Sequence, residues 1–172
     1  EASLRLNLPE QTIGDLYEKY RTEFLLGKKS LGEIINAEFG ERNDIKEVFA
    51  QVMQEQTIFH AEVINLIDNL RQHVKQIAFT NLTENRATFD SNNHIFDHFD
   101  SVMLSYKIDL KKPDPRFFEY ACEKLSLEPK NVLLIDDRQK NIDSALSFGM
   151  SAIRYENPDQ LKSSLQGLQF DS

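Results

Sequence analysis

The chain contains 172 residues, with 28 acidic and 20 basic side chains, a formal net charge of −8 at pH 7 and a pI near 5.0. An acidic chain without a basic block is not expected to bind nucleic acid or an anionic membrane surface. Its length suits one main domain with a small appended lobe. A single cysteine, Cys122, and the lack of a long apolar run favour a reducing, cytoplasmic location.

Amphipathic helices are predicted over residues 1–74. Apolar residues recur there at spacings of three and four, for example at Ile45, Val48 and Val52. Ser30 followed three residues later by Glu33 is the pattern of a capping box that begins a helix. We therefore expect residues 1–74 to form a helical cap with its connecting helix, and residues 75–172 to form a second domain.

Short apolar runs alternate with helical stretches after residue 75. The pattern predicts strands at Gln76–Asn81, Ser101–Ser105, Asn131–Asp136 and Ser151–Tyr155. It predicts helices at about 83–90, 115–126, 138–148 and 157–166. Alternating strands and helices indicate an α/β fold, in which a parallel sheet is covered by helices on both faces.

Two adjacent carboxylates, Asp136 and Asp137, come directly after the apolar run 132–135. In an open parallel sheet, ligands bind beyond the carboxyl ends of the strands. Adjacent carboxylates repel each other, and a divalent cation with a preference for oxygen ligands, such as Mg²⁺, would relieve that repulsion. Helix capping combined with surface solvation explains the dipeptide equally well when it is considered alone.

Two further polar stretches lie at the ends or beginnings of predicted elements. Thr80 and Asn81 end a strand, where a hydroxyl and an amide can donate to phosphate oxygens or can cap the next helix. Lys112 precedes Pro113, which restricts the lysine backbone to an extended conformation. A lysine at that position could bind an anion, or it could simply be solvated.

Taken in chain order, these stretches resemble the last three of the four motifs of the haloacid dehalogenase-like hydrolases. The matching residues are Thr80-Asn81, Lys112–Pro115, and Asp136-Asp137 with Asn141 four residues on as a supporting residue. The residues Lys-Pro-Asp-Pro, at 112–115, and Asp-Asp-Arg, at 136–138, are most similar to the motifs of one phosphatase branch of the family. That branch includes glucose-1-phosphate phosphatases and the N-terminal domain of soluble epoxide hydrolases. The resemblance implies a three-layer, Rossmann-like sheet with a small helical cap.

The resemblance also implies a mechanism and a role for each residue. A Mg²⁺-dependent phosphatase of this kind transfers a phosphoryl group from a small phosphorylated metabolite to an aspartate. Thr80 would bind the phosphate and Asn81 would shape the phosphate loop. Lys112 would bridge the nucleophile and the phosphoryl group, while Asp136 and Asp137 would hold Mg²⁺.

The first motif of the family, Asp-x-Asp at the end of a strand, has no match in the chain. Residues 1–8 contain only Glu1 as a carboxylate, and Asp97 and Asp100 belong to the turn 95–100, which lies in the wrong place for this motif. In the family this strand lies at the middle of the sheet, so its loss would leave two unpaired strand edges. We expect the 172 residues alone to be inactive, and an N-terminal segment or a peptide to complete the sheet.

Two alternatives to a phosphatase with a missing segment stay open. The chain could have lost the first motif and act as a non-catalytic binding or regulatory module. It could also be another α/β protein whose sheet needs no central strand.

Overall fold

The structure, a computed structural model, describes residues 1–9, 11–42, 44–57 and 59–166. Six helices precede the first strand: α1 Ala2–Arg5, α2 Thr12–Lys19, α3 Arg21–Leu25, α4 Leu31–Phe39, α5 Ile45–Gln56 and α6 Ala61–Leu70. Strands and helices then alternate: β1 Ile77–Thr80, α7 Glu84–Asn92, β2 Ser101–Leu104, α8 Ser105–Ile108, α9 Pro115–Leu125, β3 Leu133–Asp136, α10 Gln139–Phe148, β4 Ser151–Arg154 and α11 Pro158–Gln166. Short 3₁₀ helices occupy Ile95–His98 and Pro129–Asn131. The predicted α/β class is confirmed, since each predicted strand is present.

The chain forms two compact units, and neither is continuous in sequence. Unit 1 combines Glu1–Phe59, Asn81–Asp97 and Leu104–Asp109. Unit 2 combines His60–Thr80, His98–Met103 and the chain from Leu110 onwards. Each unit contains segments from both sides of residue 75. The division of the sequence at that residue stays a prediction.

Unit 1 is built around a helical core. Leu6 and Ile35 are fully buried there, with apolar side chains of α1, α2, α4 and α5 around them. The predicted capping box begins α4, because the Ser30 side chain accepts a hydrogen bond from the Glu33 N–H and the Glu33 carboxylate accepts one from the Ser30 N–H. Burial of the apolar face stabilises these helices, which are too short to persist alone.

Helix α7 also belongs to unit 1, although it follows β1 in sequence. The rings of Phe59 and Phe89 stack with centroids 6.3 Å apart. The Arg86 side chain forms an ion pair with buried Asp90, at 2.8 Å between Nε and Oδ1. The ring contact connects α7 to the segment that follows α5, and the ion pair lies within α7.

Unit 2 contains the strands as two hydrogen-bonded pairs. Strand β1 pairs with β2. Strand β3 runs parallel to β4, with Leu133 opposite Ser151 and Asp136 opposite Arg154. In the part of the chain that the structure describes, the two pairs are not joined into one sheet.

Helix α10 packs against both β3 and β4. Its buried Ile142 and Ala145 lie in a core with Leu134 of β3 and Phe118 of α9. On β3, Leu134 and Asp136 are buried while Ile135 between them is 39% exposed. This alternation is what a strand with one covered face requires.

The start of β1 is held by a polar cluster within unit 2. The Asp100 carboxylate accepts a hydrogen bond from the Gln76 N–H, at 2.8 Å, and one from Arg71 Nε, at 3.0 Å. The pKa of Asp100 is lowered, chiefly by the Gln76 N–H and then by Arg71. His98 Nδ1 lies 2.7 Å from Asp68 Oδ1 on α6.

Across the described ranges, every helix is too short or too polar to cross a membrane.

Candidate active site

The two aspartates singled out in the sequence lie at the carboxyl end of β3. Asp136 is the last residue of the strand and is buried, whereas Asp137 is exposed. Successive side chains of a strand point in opposite directions, so the neighbours differ in environment. Helix α10 begins two residues further on, at Gln139, and neither aspartate is its N-cap residue.

The Lys112 ammonium is buried against the Asp136 carboxylate. Only 7% of the lysine is exposed, which overturns the alternative that it is a solvated lysine. Its Nζ donates to Asp136 Oδ2 at 2.6 Å and to the carbonyl oxygen of Phe79 at 2.5 Å. One cation therefore connects the end of β3 to β1.

Three donors hold the Asp136 carboxylate. Besides Lys112 on Oδ2, Oδ1 accepts hydrogen bonds from the Arg138 N–H at 2.9 Å and from Asn141 Nδ2 at 2.8 Å. Burial opposes the charged carboxylate, but the charge of Lys112 and these hydrogen bonds outweigh it, so the pKa of Asp136 is lowered. The carboxylate is therefore ionised at neutral pH.

Burial lowers the pKa of Lys112, although the negative charges of Asp136 and Asp137 oppose this effect. The influence of Asp137 shows that both aspartates act on the same ammonium. A buried cation beside two carboxylates is expensive to assemble unless each charge has a partner. Here the Lys112 ammonium and the Asp136 carboxylate are charge partners for each other.

The Lys-Pro-Asp-Pro segment forms the predicted turn into a helix. Asp114 is the N-cap of α9 and accepts a hydrogen bond from the Arg116 N–H, with Pro115 in the first turn. The peptide bond between Lys112 and Pro113 is cis. The Ser144 hydroxyl of α10 donates to the Pro113 carbonyl oxygen at 2.6 Å, which fixes the segment next to Lys112.

Thr80 and Asn81 stand at the end of β1. Thr80 is the last residue of the strand and follows Phe79, whose carbonyl binds Lys112. The N-cap of the next helix is Thr83, whose hydroxyl accepts from the Arg86 N–H at 3.3 Å. The alternative that Thr80 or Asn81 caps this helix is therefore wrong, and their phosphate-binding roles stay predictions.

The oxygen atoms of this cluster have the chemistry that Mg²⁺ prefers. Asn141 is 2% exposed, and its Oδ1 is buried without a hydrogen-bond partner among the described residues. A buried amide oxygen without a partner is costly, and a cation would satisfy it. Asp136 Oδ2 keeps one lone pair, and Asp137 is an exposed carboxylate.

The described residues do not form a protein cage for the ion. Residues 1–9, 11–42, 44–57 and 59–166 include no group of three or more His, Cys, Asp and Glu side chains suited to a metal. Mg²⁺ usually keeps several waters and is held by one or two carboxylates together with substrate phosphate. The donor set fits that mode of binding.

Some contacts of the site could not be predicted from the sequence. The Phe79 carbonyl lies inside an apolar strand, and Ser144 is one of several serines in α10 and α11. In unit 1, the fully buried Ser105 donates to the Leu25 carbonyl at 2.6 Å and lies 3.3 Å from the Leu82 carbonyl. None of these residues carries a distinctive sequence signal.

A family model described as haloacid dehalogenase-like hydrolase matches residues 9–155. The chain belongs to this family. The resemblance of the three motifs is thereby confirmed at the level of the family. Among curated relatives of this chain, flavin mononucleotide hydrolase 1 of Arabidopsis thaliana is 38% identical over 58 residues, which is 34% of this chain and 24% of the relative.

Phosphoglycolate phosphatase of Nitrosospira multiformis is 33% identical over 55 residues, which is 32% of this chain and 24% of the relative. The matched stretches span no more than about a quarter of the length of the first curated relatives that this chain matches. A HAD family enzyme from Bacteroides thetaiotaomicron has a similar fold, with a TM-score of 0.73 at 20% identity. That match covers 85% of this chain and 80% of the other.

Proposed function

We propose that this chain is part of a Mg²⁺-dependent phosphatase of small phosphorylated metabolites. The observation that carries the proposal is the buried Lys112 ammonium held between the Phe79 carbonyl and Asp136, beside a second carboxylate and the unpartnered oxygen of Asn141. A lysine and a cation at strand ends can screen phosphoryl oxygens from an anionic nucleophile. Relatives named for phosphate ester hydrolysis support the same class of reaction.

Each residue at the strand ends has a separate role in the proposed reaction. Lys112 faces the negative charge that develops on the phosphoryl group, and Asp136 holds the lysine in place. Thr80 donates its hydroxyl to a phosphate oxygen. Asp137, Asp136 Oδ2 and the Asn141 amide oxygen would hold Mg²⁺, and the ion would supply positive charge to the phosphoryl group.

Magnesium dependence is proposed from this donor set. The neighbour from Bacteroides thetaiotaomicron was crystallised in complex with magnesium and inorganic phosphate. Its identity to this chain is too low to carry residue roles across. The oxygen ligands at the end of β3 provide the argument that is specific to this chain. A cytoplasmic location, where Mg²⁺ and phosphorylated metabolites occur together, belongs to the same proposal.

The nucleophile must be a carboxylate that the 172 residues do not supply in the expected strand motif. We place it on an additional strand that completes the sheet between the two strand pairs. Within the described chain, β3 is paired only with β4, so its other edge presents unpaired backbone groups. The strand would come from an N-terminal segment or from a separate peptide.

In the proposed reaction, a carboxylate oxygen of the first Asp of the Asp-x-Asp strand attacks phosphorus as the ester P–O bond breaks, and the carboxyl group of the second Asp gives its proton to the leaving alcohol. Water then attacks phosphorus and gives a proton to the second Asp, the acyl phosphate bond breaks, and the first carboxylate and inorganic phosphate are released. The ammonium of Lys112 remains charged in both steps and takes no proton. Its task is electrostatic, because the negative charge on the phosphoryl oxygens would otherwise repel the attacking carboxylate.

The function can be tested by supplying the strand. The chain is mixed with, or fused at its N-terminus to, an apolar strand peptide that ends in Asp-x-Asp, and phosphate release from a panel of small phosphate monoesters is measured with Mg²⁺ or with EDTA. We expect release that requires the peptide and Mg²⁺. A peptide with Asn in place of the first Asp is the control and should give none.

A strand that binds without restoring hydrolysis would contradict the phosphatase proposal. Binding of the peptide is measured separately by the change in thermal stability, so a peptide that does not bind is distinguished from a site that does not react. Such a result would favour the non-catalytic binding module, for which the lack of an Asp-x-Asp motif is the supporting observation.

A further inference from the structure

Unit 2 contains an open groove of about 370 Å³ that the proposed phosphatase chemistry does not use. We name it the α9–α10 groove after the helices that contribute Cys122 and Phe148 to its lining. Glu128 and Pro129, which also line it, precede β3, whereas Asp136 is the last residue of that strand. The groove therefore lies at the opposite end of β3 from the candidate active site.

The floor of the α9–α10 groove is apolar and uncharged. It is lined by Cys122, Leu127, Pro129 and Phe148. Cys122 is 7% exposed, and burial raises the pKa of its thiol, so the thiol stays protonated at neutral pH. The Phe148 ring packs on the ring of Phe118, with centroids 6.1 Å apart. An apolar floor of this kind gains free energy when another apolar surface covers it.

The rim of the groove carries carboxylates. Glu119, Glu123 and Glu128 are exposed and line the groove, and its described lining includes no lysine, arginine or histidine. Glu128 forms an exposed ion pair with Lys130, at 2.7 Å. Glu119 and Glu123 form no ion pair with any residue that the structure describes. The groove therefore has two carboxylates without a countercharge.

The position of these two carboxylates on α9 is unfavourable in the absence of a cation. They lie four residues apart, and like charges at that spacing on a helix repel each other. Glu123 also lies in the last turn of α9, where the helix dipole favours positive charge. Lys124 lies in the same turn but does not line the groove. A cation bound in the groove would reduce both costs.

The chemistry of the groove favours an organic cation over a metal ion. The described ranges include no group of His, Cys, Asp and Glu side chains suited to a metal. Residues four apart on a helix have Cβ atoms about 5–6 Å apart, so one planar guanidinium can contact both Glu119 and Glu123. A guanidinium is also weakly hydrated and stacks on aromatic rings such as that of Phe148.

We propose that the α9–α10 groove docks a segment of a partner protein in which arginines alternate with apolar residues. An arginine side chain lies at Glu119 and Glu123, and an apolar side chain covers Leu127 and Phe148. An exposed apolar patch with a polar rim is typical of a protein interface, and arginine and aromatic side chains are enriched as interface anchors. Charge complementarity between the acidic rim and the basic segment is the argument for this occupant.

The test uses three short peptides and the 172-residue protein. The first peptide is Leu-Arg-Phe-Arg-Leu, acetylated and amidated at its ends. The second has citrulline in place of both arginines, which removes the charge with little change of shape. The third has serine in place of the leucines and the phenylalanine. In isothermal titration calorimetry, we expect the first peptide to bind with a Kd below about 1 mM and the other two at least about fivefold more weakly.

The double variant Glu119→Gln with Glu123→Gln locates the charge. It should weaken binding of the arginine peptide about tenfold and leave the citrulline peptide unchanged, because exposed glutamines keep the shape of the rim. Glu156→Gln with Asp159→Asn is the matched control. These exposed residues of unit 2 do not line the groove, and their replacement removes the same number of charges. The control should bind the arginine peptide like the wild type.

Cys122 is the single cysteine of the chain and reports whether the floor of the groove is covered. The rate of its modification by N-ethylmaleimide is followed by mass spectrometry with and without the arginine peptide. A ligand that binds only the closed, native protein lowers the open fraction in proportion to 1 + [L]/Kd. The rate should therefore fall about tenfold at a peptide concentration of about nine times Kd.

The proposal is wrong if the arginine peptide does not bind below about 1 mM, or binds no more tightly than the citrulline peptide. Equal weakening in the glutamine double variant and in the control variant would reduce the effect to net charge. Binding that leaves the rate of Cys122 modification unchanged would place the peptide elsewhere. All of these results leave the phosphatase proposal untouched, since no step of it depends on the α9–α10 groove.

Discussion

Replacement of Lys112 by Met tests the buried ion pair at the centre of the site. The change removes the ammonium that lies 2.6 Å from Asp136 Oδ2 while keeping an apolar side chain of similar length. Both partners are buried, with side-chain exposures of 7% and 5%. Removing one partner of such a pair typically costs about 3–5 kcal/mol, because the other charge stays buried.

Lys112→Met should lower the free energy of unfolding by about 3 kcal/mol, which is the lower end of that range. The reason is that the Asp136 carboxylate keeps its hydrogen bonds from the Arg138 N–H and from Asn141. For a chain of this length, that corresponds to a fall in Tm of about 6–12 °C. Urea unfolding followed by circular dichroism gives the free energy, and a thermal scan gives the Tm. Lys111→Met is the control, since the adjacent lysine is partly exposed and outside the pair.

A double-mutant cycle with Asp136→Asn separates the ion pair from the packing of the lysine stem. In the Asp136→Asn background, Lys112→Met should cost less than about 1 kcal/mol, because no buried charge is left behind. If Lys112→Met lowers the free energy of unfolding equally in the wild type and in Asp136→Asn, the ion pair is refuted as the source of stability. A loss for Lys112→Met no larger than that for Lys111→Met would refute the burial of the charge itself.

Three other changes test contacts that lie within unit 1 or within unit 2. Ser144→Ala removes the hydrogen bond to the Pro113 carbonyl and should lower the free energy of unfolding by about 1 kcal/mol in urea titrations. Gly27→Ala should cost about 2 kcal/mol or more, because φ is +68° and a Cβ would lie 2.7 Å from the Tyr106 carbonyl oxygen. Asp100→Asn should lower Tm at pH 7, and the difference from wild type should shrink as pH falls. The reason is that a carboxylate with a lowered pKa stabilises the fold above its unfolded pKa of about 3.9 and loses this effect as pH falls through its folded pKa.

Matched variants show what would contradict these expectations. Ser147→Ala removes only a bond to the carbonyl of Asp143 within the same helix, so a loss equal to that of Ser144→Ala would argue against the role of the Pro113 contact. Gly14→Ala places a Cβ in open space within α2 and should be neutral or stabilising by up to about 1 kcal/mol. For Asp100→Asn, a Tm difference from wild type that stays constant from pH 7 down to about pH 3 would refute the ionic contribution.

The positions of the strands were predictable because each one is a short apolar run between turn or capping residues. Strand β3 ends at Asp136 as expected, and α10 ends before Gly149, which has a positive φ of +97°. Hydrophobic periodicity likewise predicted α9, whose start is marked by Asp114 and Pro115. Local pattern and local structure agree in these elements.

The contacts that make the site were not predictable, because they join residues far apart in sequence. Lys112 meets Asp136 and Phe79 across 24 and 33 positions. The sequence showed that Pro113 constrains the lysine backbone, but not that the ammonium would be buried. The contact between Phe59 and Phe89, which lies within unit 1, was not predictable for the same reason, since it spans thirty residues of chain.

The central claim is that the strand-end cluster is a site for Mg²⁺ and a phosphoryl group. Titration of Mg²⁺ into the protein with and without inorganic phosphate, followed by isothermal titration calorimetry, tests it without the missing nucleophile. We expect phosphate to strengthen Mg²⁺ binding, and Asp137→Asn to weaken it by at least roughly tenfold, while Asp143→Asn on the exposed face of α10 has no effect. Mg²⁺ binding that is independent of phosphate and unchanged in Asp137→Asn would contradict the account.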